Sequence, residues 1–223
     1  MLSNPSGPVL VVDFGAQYAQ LIARRVRQEN IFSEIVAHTI TADEVTAKSP
    51  SAIILSGGPS SVYAEGAPAF DLTIFDLGLP VFGICYGFQL MAKSLGGEVA
   101  HTGTSEYGRT ELSTHNAKIF SDVPESISVW MSHGDAVTSA PHTFKVCAVS
   151  AGAPVAGFED LEHSRAGVQF HPEVLHSEYG QKVLSNFLIH VAHCEQSWTM
   201  SNVIDEQVAK ISAQIGDSAV ICG

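Results

Sequence analysis

The stretch from Pro80 to Ala92 reads PVFGICYGFQLMA and places a cysteine between an apolar run and a helix-like pattern. Gly83 and Gly87 stand two residues to either side of Cys85. A strand that turns directly into a helix needs small residues at these two positions, because the two elements pass close to each other. The stretch therefore predicts a strand–turn–helix unit of an α/β fold, with Cys85 at the turn.

Further apolar runs, bounded by glycine and proline, alternate with segments of helical periodicity. Such alternation predicts an open, mostly parallel twisted sheet with helices on both faces. Thr41 and Glu44 have the spacing of a capping box at the start of one helix. The predicted strands of this half are 8–15, 34–39, 52–56 and 80–84, and the predicted helices follow residue 18 and occupy 41–48, 68–77 and 88–95.

The second half of the chain has a different pattern. Between residue 98 and about residue 170, short strand-like segments joined by turns predict a small antiparallel extension. A further strand at 167–170 and a closing helix at 178–194 complete the expected domain, which we bound at residues 1–195. Residues 196–223 are expected to form a separate linker helix and a strand.

Composition disfavours several classes of partner. The 223 residues include 23 acidic and 11 basic side chains, and the net charge of −12 argues against binding to nucleic acid. No apolar run approaches the roughly 18 residues of a membrane span, and no signal-peptide pattern is present, so we expect a cytoplasmic protein. Charged residues make up only 15%, below the usual level of about 25%, which favours a surface partly covered by a partner.

The cysteines indicate reduced thiols. They lie at 85, 147, 194 and 222, without the paired spacing of disulfide or zinc sites. His190, His193 and Cys194 have a helical spacing that could gather a metal ion, but no fourth ligand stands out. We therefore expect no metal site.

Cys85 is the candidate nucleophile. A helix N-terminus offers unpaired N–H groups and a positive dipole end, and both favour a thiolate over a thiol. Cysteine catalysis also requires a base, and His171 follows the strand at 167–170, at the edge where open α/β sheets build their sites. Pro172 fixes the turn, so that Glu173 can reach back to the imidazole. The residues predict a Cys–His–Glu triad.

A third strand end supplies candidates for an oxyanion hole. The segment 56–59 reads SGGP, and its glycines let backbone N–H groups point into a site without obstruction by side chains. The N–H groups of Gly58 and of Tyr86, which follows the cysteine directly, are the candidate donors.

Five stretches together resemble the triad-type (class I) glutamine amidotransferase family, whose domains have a flavodoxin-like fold. Two of them favour the branch of that family whose synthetase partner aminates XMP to GMP with ATP; these are DFGAQYAQLIARRVR and WMSHGD. Phe88 and Arg109 depart from the usual residues of the pattern, and the consequence of Arg109 is left open. The five stretches are DFGAQYAQLIARRVR (13–27), ILSGGP (54–59), VFGICYGFQLMA (81–92), WMSHGD (130–135) and GVQFHPEV (167–174).

The resemblance implies a role for each matched residue. Cys85 would be the nucleophile, His171 the acid and base, and Glu173 its orienting partner. The glutamine pocket would involve Gly58, Gln89 and a loop formed by Ser132, His133, Gly134 and Asp135.

The resemblance also implies partners. Residues 196–223 would be a linker helix and the first strand of a truncated ATP-pyrophosphatase (synthetase) domain, which would receive ammonia and bind ATP and magnesium. The amidotransferase domain itself would carry no cofactor. Whether the synthetase is fused or separate, and whether the full-length protein forms a homodimer, is left open.

Two alternatives remain. The chain could serve another synthase, such as one that forms anthranilate or carbamoyl phosphate, although WMSHGD argues against this. It could also be a catalytically silent amidotransferase-like module used only for binding or regulation, although all three triad residues are present.

Overall fold

The computed structural model describes residues 4–15, 18–59 and 61–199, together with Ser212 and Ile215. The first half contains β1 (Val9–Asp13), α1 (Ala19–Gln28), β2 (Ser33–Ala37), α2 (Ala42–Lys48), β3 (Ala52–Leu55), a 3₁₀ helix (Leu72–Leu77), β4 (Val81–Ile84) and α3 (Tyr86–Ser94). The second half contains β5 (Glu98–Thr114), β6 (Ser126–Ser139), β7 (Lys145–Val149), β8 (Gly157–Asp160), β9 (Arg165–Val168), α4 (Gly180–Asn186) and a π-helical turn (Phe187–Val191).

The strands of the described residues form one sheet in the order β2-β1-β3-β4-β9-β8-β7-β5-β6. The pairings from β2 to β9 are parallel. The pairings from β9 to β6 are antiparallel. The predicted open α/β sheet with an antiparallel extension is confirmed, and this extension contributes four of the eight pairings.

Both faces of the parallel part are buried. Val9 and Val11 of β1 pack in a core cluster with α1 and α4, whereas Leu10 and Val12 pack in a second cluster with α3. Successive side chains of a strand point to opposite faces, so a strand covered on both sides must be apolar throughout. This requirement explains the uninterrupted apolar runs of the sequence.

The hairpin of β5 and β6 differs from the prediction. Residues 98–102 and 108–113, expected as separate strands, belong to the single 17-residue strand β5. The expected loop at 132–135 was wrong, because these residues lie within β6. Asp135 and His133 pair with His101 and Glu106 of β5, and the register shifts between these two pairs. The cross-strand partner holds this glycine-containing segment extended, and no local pattern identifies that partner.

The observed helices lie where the sequence predicted them, but two of them differ in length or type. Thr41 caps α2, and its capping box with Glu44 is confirmed. The predicted helix at 178–194 is instead the seven-residue α4 followed by the π-helical turn. The predicted 68–77 helix is a shorter 3₁₀ helix. Within the described residues, no helix combines the length and apolar content that a membrane crossing requires.

The segment from residue 195 to residue 198 is hydrogen-bonded to the first 30 residues of the chain. The N–H of Glu195 donates to the carbonyl of Pro5, and the N–H of Trp198 donates to the carbonyl of Asn30, both at 2.8 Å. Apart from Ser212 and Ile215, the predicted linker helix and strand after residue 200 lie outside the described residues.

Candidate active site

Cys85 occupies a strained turn between β4 and α3. Its backbone has φ 50° and ψ −102°, in the positive-φ region that side chains rarely adopt. A Cβ on Gly83 would lie 2.7 Å from the backbone N and Cα of Phe88, and one on Gly87 would lie 2.4 Å from the carbonyl oxygen of Leu55. The structure thus confirms that both glycines are required by the close approach of the helix and strands.

Three groups surround the sulfur of Cys85. Its Sγ lies 3.7 Å from the carbonyl oxygen of Ser132 and 3.8 Å from Nε2 of Gln169. The third group is the imidazole of His171, which is close enough for its interaction with Cys85 to raise the pKa of the imidazole. The cysteine is only 7% exposed, so its chemistry depends on these neighbours more than on bulk water.

His171 and Glu173 form a buried pair. Nδ1 of His171 lies 2.8 Å from Oε1 of Glu173, which is fully buried. Arg25 of α1 donates from Nε to the carbonyl oxygen of Glu173 at 2.8 Å, and the His171 N–H donates to the carbonyl of Trp130 at 3.0 Å. The turn after β9 is therefore held by α1 on one side and by β6 on the other.

The surroundings of His171 favour the imidazolium. Burial lowers the pKa of this group, but hydrogen bonds to Cys85 and Glu173 and the attraction of their charges raise it more, to about 10. At neutral pH the ring therefore carries a proton between the sulfur and the carboxylate. The structure brings together the three side chains that the sequence predicted as a triad.

A cavity of about 350 Å³ opens beside the cysteine. Every residue predicted for the oxyanion hole and the substrate pocket lines it. As the first residue of α3, Tyr86 has a backbone N–H without an intrahelical acceptor. The lining comprises the predicted Gly58, Cys85, Tyr86, Gln89, Ser132, His133, Gly134 and Asp135, and also Pro59, Ser61 and Tyr107.

Several residues of this region were not predicted. Ser61 donates to the carboxylate of Asp135 across the cavity. Nε2 of His133 lies 3.0 Å from the carboxylate of Glu106, and both side chains are buried. Gln169 stood within the quoted GVQFHPEV stretch, but its contact with the sulfur was missed. For Ser61 and Glu106 the sequence carries no signal, because their partners lie far away along the chain.

The candidate metal ligands near the closing helix are not gathered. Among the residues that the structure describes, no three His, Cys, Asp or Glu side chains are placed to hold a metal ion. Cys194 is buried, and burial raises the pKa of its thiol.

Comparison with known proteins gives a consistent result. The sequence pattern of the family Glutamine amidotransferase class-I matches residues 10–191. The chain is 62% identical over 222 residues to a protein of Nocardia farcinica named GMP synthase (glutamine-hydrolyzing). It is 58% identical over 222 residues to a protein of the same name from Corynebacterium diphtheriae. These matches cover 100% and 99% of the chain, but the chain spans only 42% of the length of each relative.

Solved structures agree with the fold. A protein from Thermoplasma acidophilum, described as a GMP synthase subunit, superposes with a TM-score of 0.75 at 29% identity, covering 90% of this chain and 97% of that one. A glutamine amidotransferase from Thermotoga maritima superposes with a TM-score of 0.61 at 22% identity, covering 92% and 86%. The second likeness supports the fold alone.

Proposed function

The chain belongs to the class-I glutamine amidotransferase family, and from this premise we propose that it hydrolyses the side-chain amide of glutamine to glutamate and ammonia. One observation carries the proposal. Cys85 lies in a strained turn at the wall of a polar cavity, and the imidazole of His171, whose Nδ1 lies 2.8 Å from the carboxylate of Glu173, is close enough to interact with the cysteine. This is the arrangement that thiol-based acyl transfer requires.

We assign the chemical steps as follows. The Cys85 thiolate attacks the amide carbon of glutamine, and the N–H groups of Gly58 and Tyr86 hold the oxyanion, each donor contributing about 3–4 kcal/mol. His171 protonates the departing ammonia, which leaves a γ-glutamyl thioester. His171 then takes a proton from water, whose oxygen displaces the sulfur and releases glutamate. Glu173 keeps the ring oriented and stabilises its positive charge.

The raised pKa of His171 suits this order of events. A group with a pKa of about 10 is protonated before the substrate arrives, so the proton needed by the leaving ammonia is already in place. The same charge stabilises a thiolate on Cys85.

The remaining lining residues would hold the amino-acid part of glutamine. The predicted substrate contacts are Gln89, Ser132, His133, Gly134 and Asp135. They place carboxylate, carbonyl and amide groups around a cavity of about 350 Å³, and such groups suit an α-ammonium ion. We propose that this wall selects a free amino acid over a larger amide.

We further propose that the ammonia is used by a synthetase. The relatives named GMP synthase are more than twice as long as this chain. Their remaining part would be an ATP-pyrophosphatase domain. In this chain, that domain would begin within residues 196–223, and the protein would be soluble and cytoplasmic. It would bind ATP and magnesium and aminate XMP to GMP, whereas the amidotransferase domain would need no cofactor. Homodimerisation of the full-length protein belongs to the same proposal.

A comparison of glutamine with ammonium ions as the nitrogen source tests both proposals, the hydrolysis of glutamine and the use of its ammonia by a synthetase. The chain joined to its synthetase should form GMP from XMP with either glutamine or ammonium ions, and Cys85→Ala should abolish only the glutamine-dependent reaction. Cys147→Ala is the control, because this buried thiol lies in β7, and it should retain both reactions. Persistent glutamine hydrolysis in Cys85→Ala would refute the mechanism. Hydrolysis without XMP-dependent product would indicate another synthase, and no hydrolysis by the unmutated protein would indicate a silent module.

A further inference from the structure

Gln169 is a fully buried amide in direct contact with the reactive sulfur. Its side chain is 0% exposed, and its Nε2 lies 3.8 Å from Sγ of Cys85, within reach of the large sulfur atom. Its Oε1 lies 3.1 Å from Nε2 of Gln89. The steps proposed above assign this side chain no part.

The orientation of this amide is set by its partners. The backbone carbonyl of Asp135 can only accept a hydrogen bond, and Nε2 of Gln89 donates to it at 2.6 Å. The second N–H of Gln89 then points to Oε1 of Gln169, so Nε2 of Gln169 must face the sulfur. Flipping either amide would place two oxygens or two N–H groups against each other.

The Asp135 carbonyl, where this series of hydrogen bonds starts, is held in place by further contacts. The Asp135 carbonyl also accepts from Nδ1 of His133 at 3.0 Å. Nε2 of His133 lies 3.0 Å from the carboxylate of Glu106 on β5. Ser150 and the N–H of Gly152 hold that carboxylate in turn, at 2.7 and 2.9 Å. A continuous series of contacts therefore runs from the β5–β6 hairpin to the nucleophile.

We propose that Gln169 is a further catalytic residue, which donates an amide N–H to the anionic sulfur of Cys85 and is held in that orientation by Gln89. The inference rests on the proposed function of Cys85 as a nucleophile. When the sulfur is anionic, it can accept from Nε2 of Gln169, and the His171 imidazole lies close enough to interact with it. The carbonyl of Ser132, the third neighbour, can accept a hydrogen bond from the thiol but has no donor to offer the thiolate.

The donor acts twice in the cycle. When sulfur attacks, an S–C bond forms, the C–N bond breaks, and ammonia leaves with the proton from His171. When water attacks the thioester, an O–C bond forms, the S–C bond breaks, and the electron pair returns to sulfur. The N–H of Gln169 favours the thiolate at both ends of the cycle, since a neutral thioester sulfur is a much weaker acceptor.

Alkylation of Cys85 by iodoacetamide tests this contact without glutamine. The readout is the alkylation rate of the Cys85 peptide about one pH unit below the midpoint of the rate–pH profile of the unmutated protein, divided by the rate about two units above that midpoint, because only thiolate reacts. Gln169→Met keeps the length of the side chain and removes the donor, so the ratio should fall about three- to tenfold. Gln169→Glu places an acceptor against sulfur, and the ratio should fall further.

The controls separate this effect from loss of the fold or of the proposed function. Asn186→Leu removes another buried amide, which donates to the carbonyls of Ile119 and Ser121, and should leave the ratio unchanged. If Gln169→Met does not fold, Gln89→Met frees the amide to turn and should lower the ratio by a smaller factor. An unchanged ratio in a folded variant of either glutamine would overturn the proposal. Failure of the unmutated protein to hydrolyse glutamine would refute the proposed function and leave this ratio interpretable.

Discussion

The hydroxyl of Ser177 lies between two backbones, 2.6 Å from the carbonyl oxygen of His171 and 3.0 Å from the N–H nitrogen of Trp130. The N–H of His171 donates directly to the Trp130 carbonyl. The hydroxyl thus replaces one of the two hydrogen bonds of an ordinary antiparallel bridge. The position of the imidazole therefore depends on a side chain six residues further along the chain.

Ser177→Ala should displace His171 and so slow the chemical step of glutamine hydrolysis, while substrate binding stays nearly unchanged. The variant leaves a buried carbonyl and a partly buried N–H without their partner, which costs about 1–3 kcal/mol in the free energy of unfolding. We expect kcat for glutamine hydrolysis to fall about tenfold, with little change in KM. Ser185→Ala removes a hydroxyl of α4 that donates to Glu29, directly after α1, and should keep kcat. A normal kcat in Ser177→Ala would contradict this role.

Gly58→Ala should disturb the proposed oxyanion hole. A Cβ at Gly58 would lie 2.8 Å from Cγ of Tyr86, closer than side chains tolerate. We expect the variant to lose about 1–3 kcal/mol of unfolding free energy through overpacking, together with most of its activity. Gly134→Ala is the matched control in the same cavity, because its Cβ would meet the Tyr107 hydroxyl at 3.6 Å, an ordinary contact. Equal losses of stability in the two variants would refute the steric argument, and urea titration measures both.

A glutamine-like chloroketone should label Cys85 in preference to Cys147 and Cys194. Burial raises the pKa of Cys147 well above its ordinary value, and burial also raises the pKa of Cys194. Both thiols are therefore poor nucleophiles at neutral pH. Peptide mass spectrometry of a Cys222→Ser background, which removes the cysteine outside the described residues, should find one modified position. Label on Cys147 or Cys194 at a comparable rate would show that Cys85 is not selectively reactive.

The His171 imidazolium should make stability depend on pH. Its pKa is about 10 in the folded protein against an ordinary 6.5, so the folded state binds the proton more tightly than the unfolded state. The resulting stabilisation is fully present below about pH 6.5 and is lost as the pH rises through about 10. The difference in unfolding free energy between the unmutated protein and His171→Gln should therefore shrink over this range. A difference that stays constant from about pH 6 to pH 10 would contradict the raised pKa.

Local patterns predicted the parts of the molecule that depend on neighbours in sequence. The glycines beside Cys85 and the capping box at Thr41 were readable because each constraint lies within a few residues. His171 and Glu173 were predictable because carboxyl ends of parallel strands share one edge of a sheet.

Local patterns could not predict the conformation of the cavity wall at 132–135 or the contact of Gln169 with the sulfur. The extended conformation of Ser132–Asp135 comes from pairing with β5, and the contact of Gln169 with sulfur depends on Gln89, 80 residues away. The location of β6 beside the cysteine follows from the path of the antiparallel strands, which the sequence does not encode locally. Long-range polar partners leave no periodic signal.

The distribution of the site along the chain has a consequence during synthesis. The thiol is made at position 85, the cavity wall at 132–135, and the acid–base pair at 171 and 173. Domains emerge from the ribosome N-terminus first, at about 5–20 residues per second. An incomplete chain therefore carries the cysteine for several seconds before His171 and Glu173 are made, so glutamine hydrolysis can begin only after β9 and the turn that follows it have been synthesised.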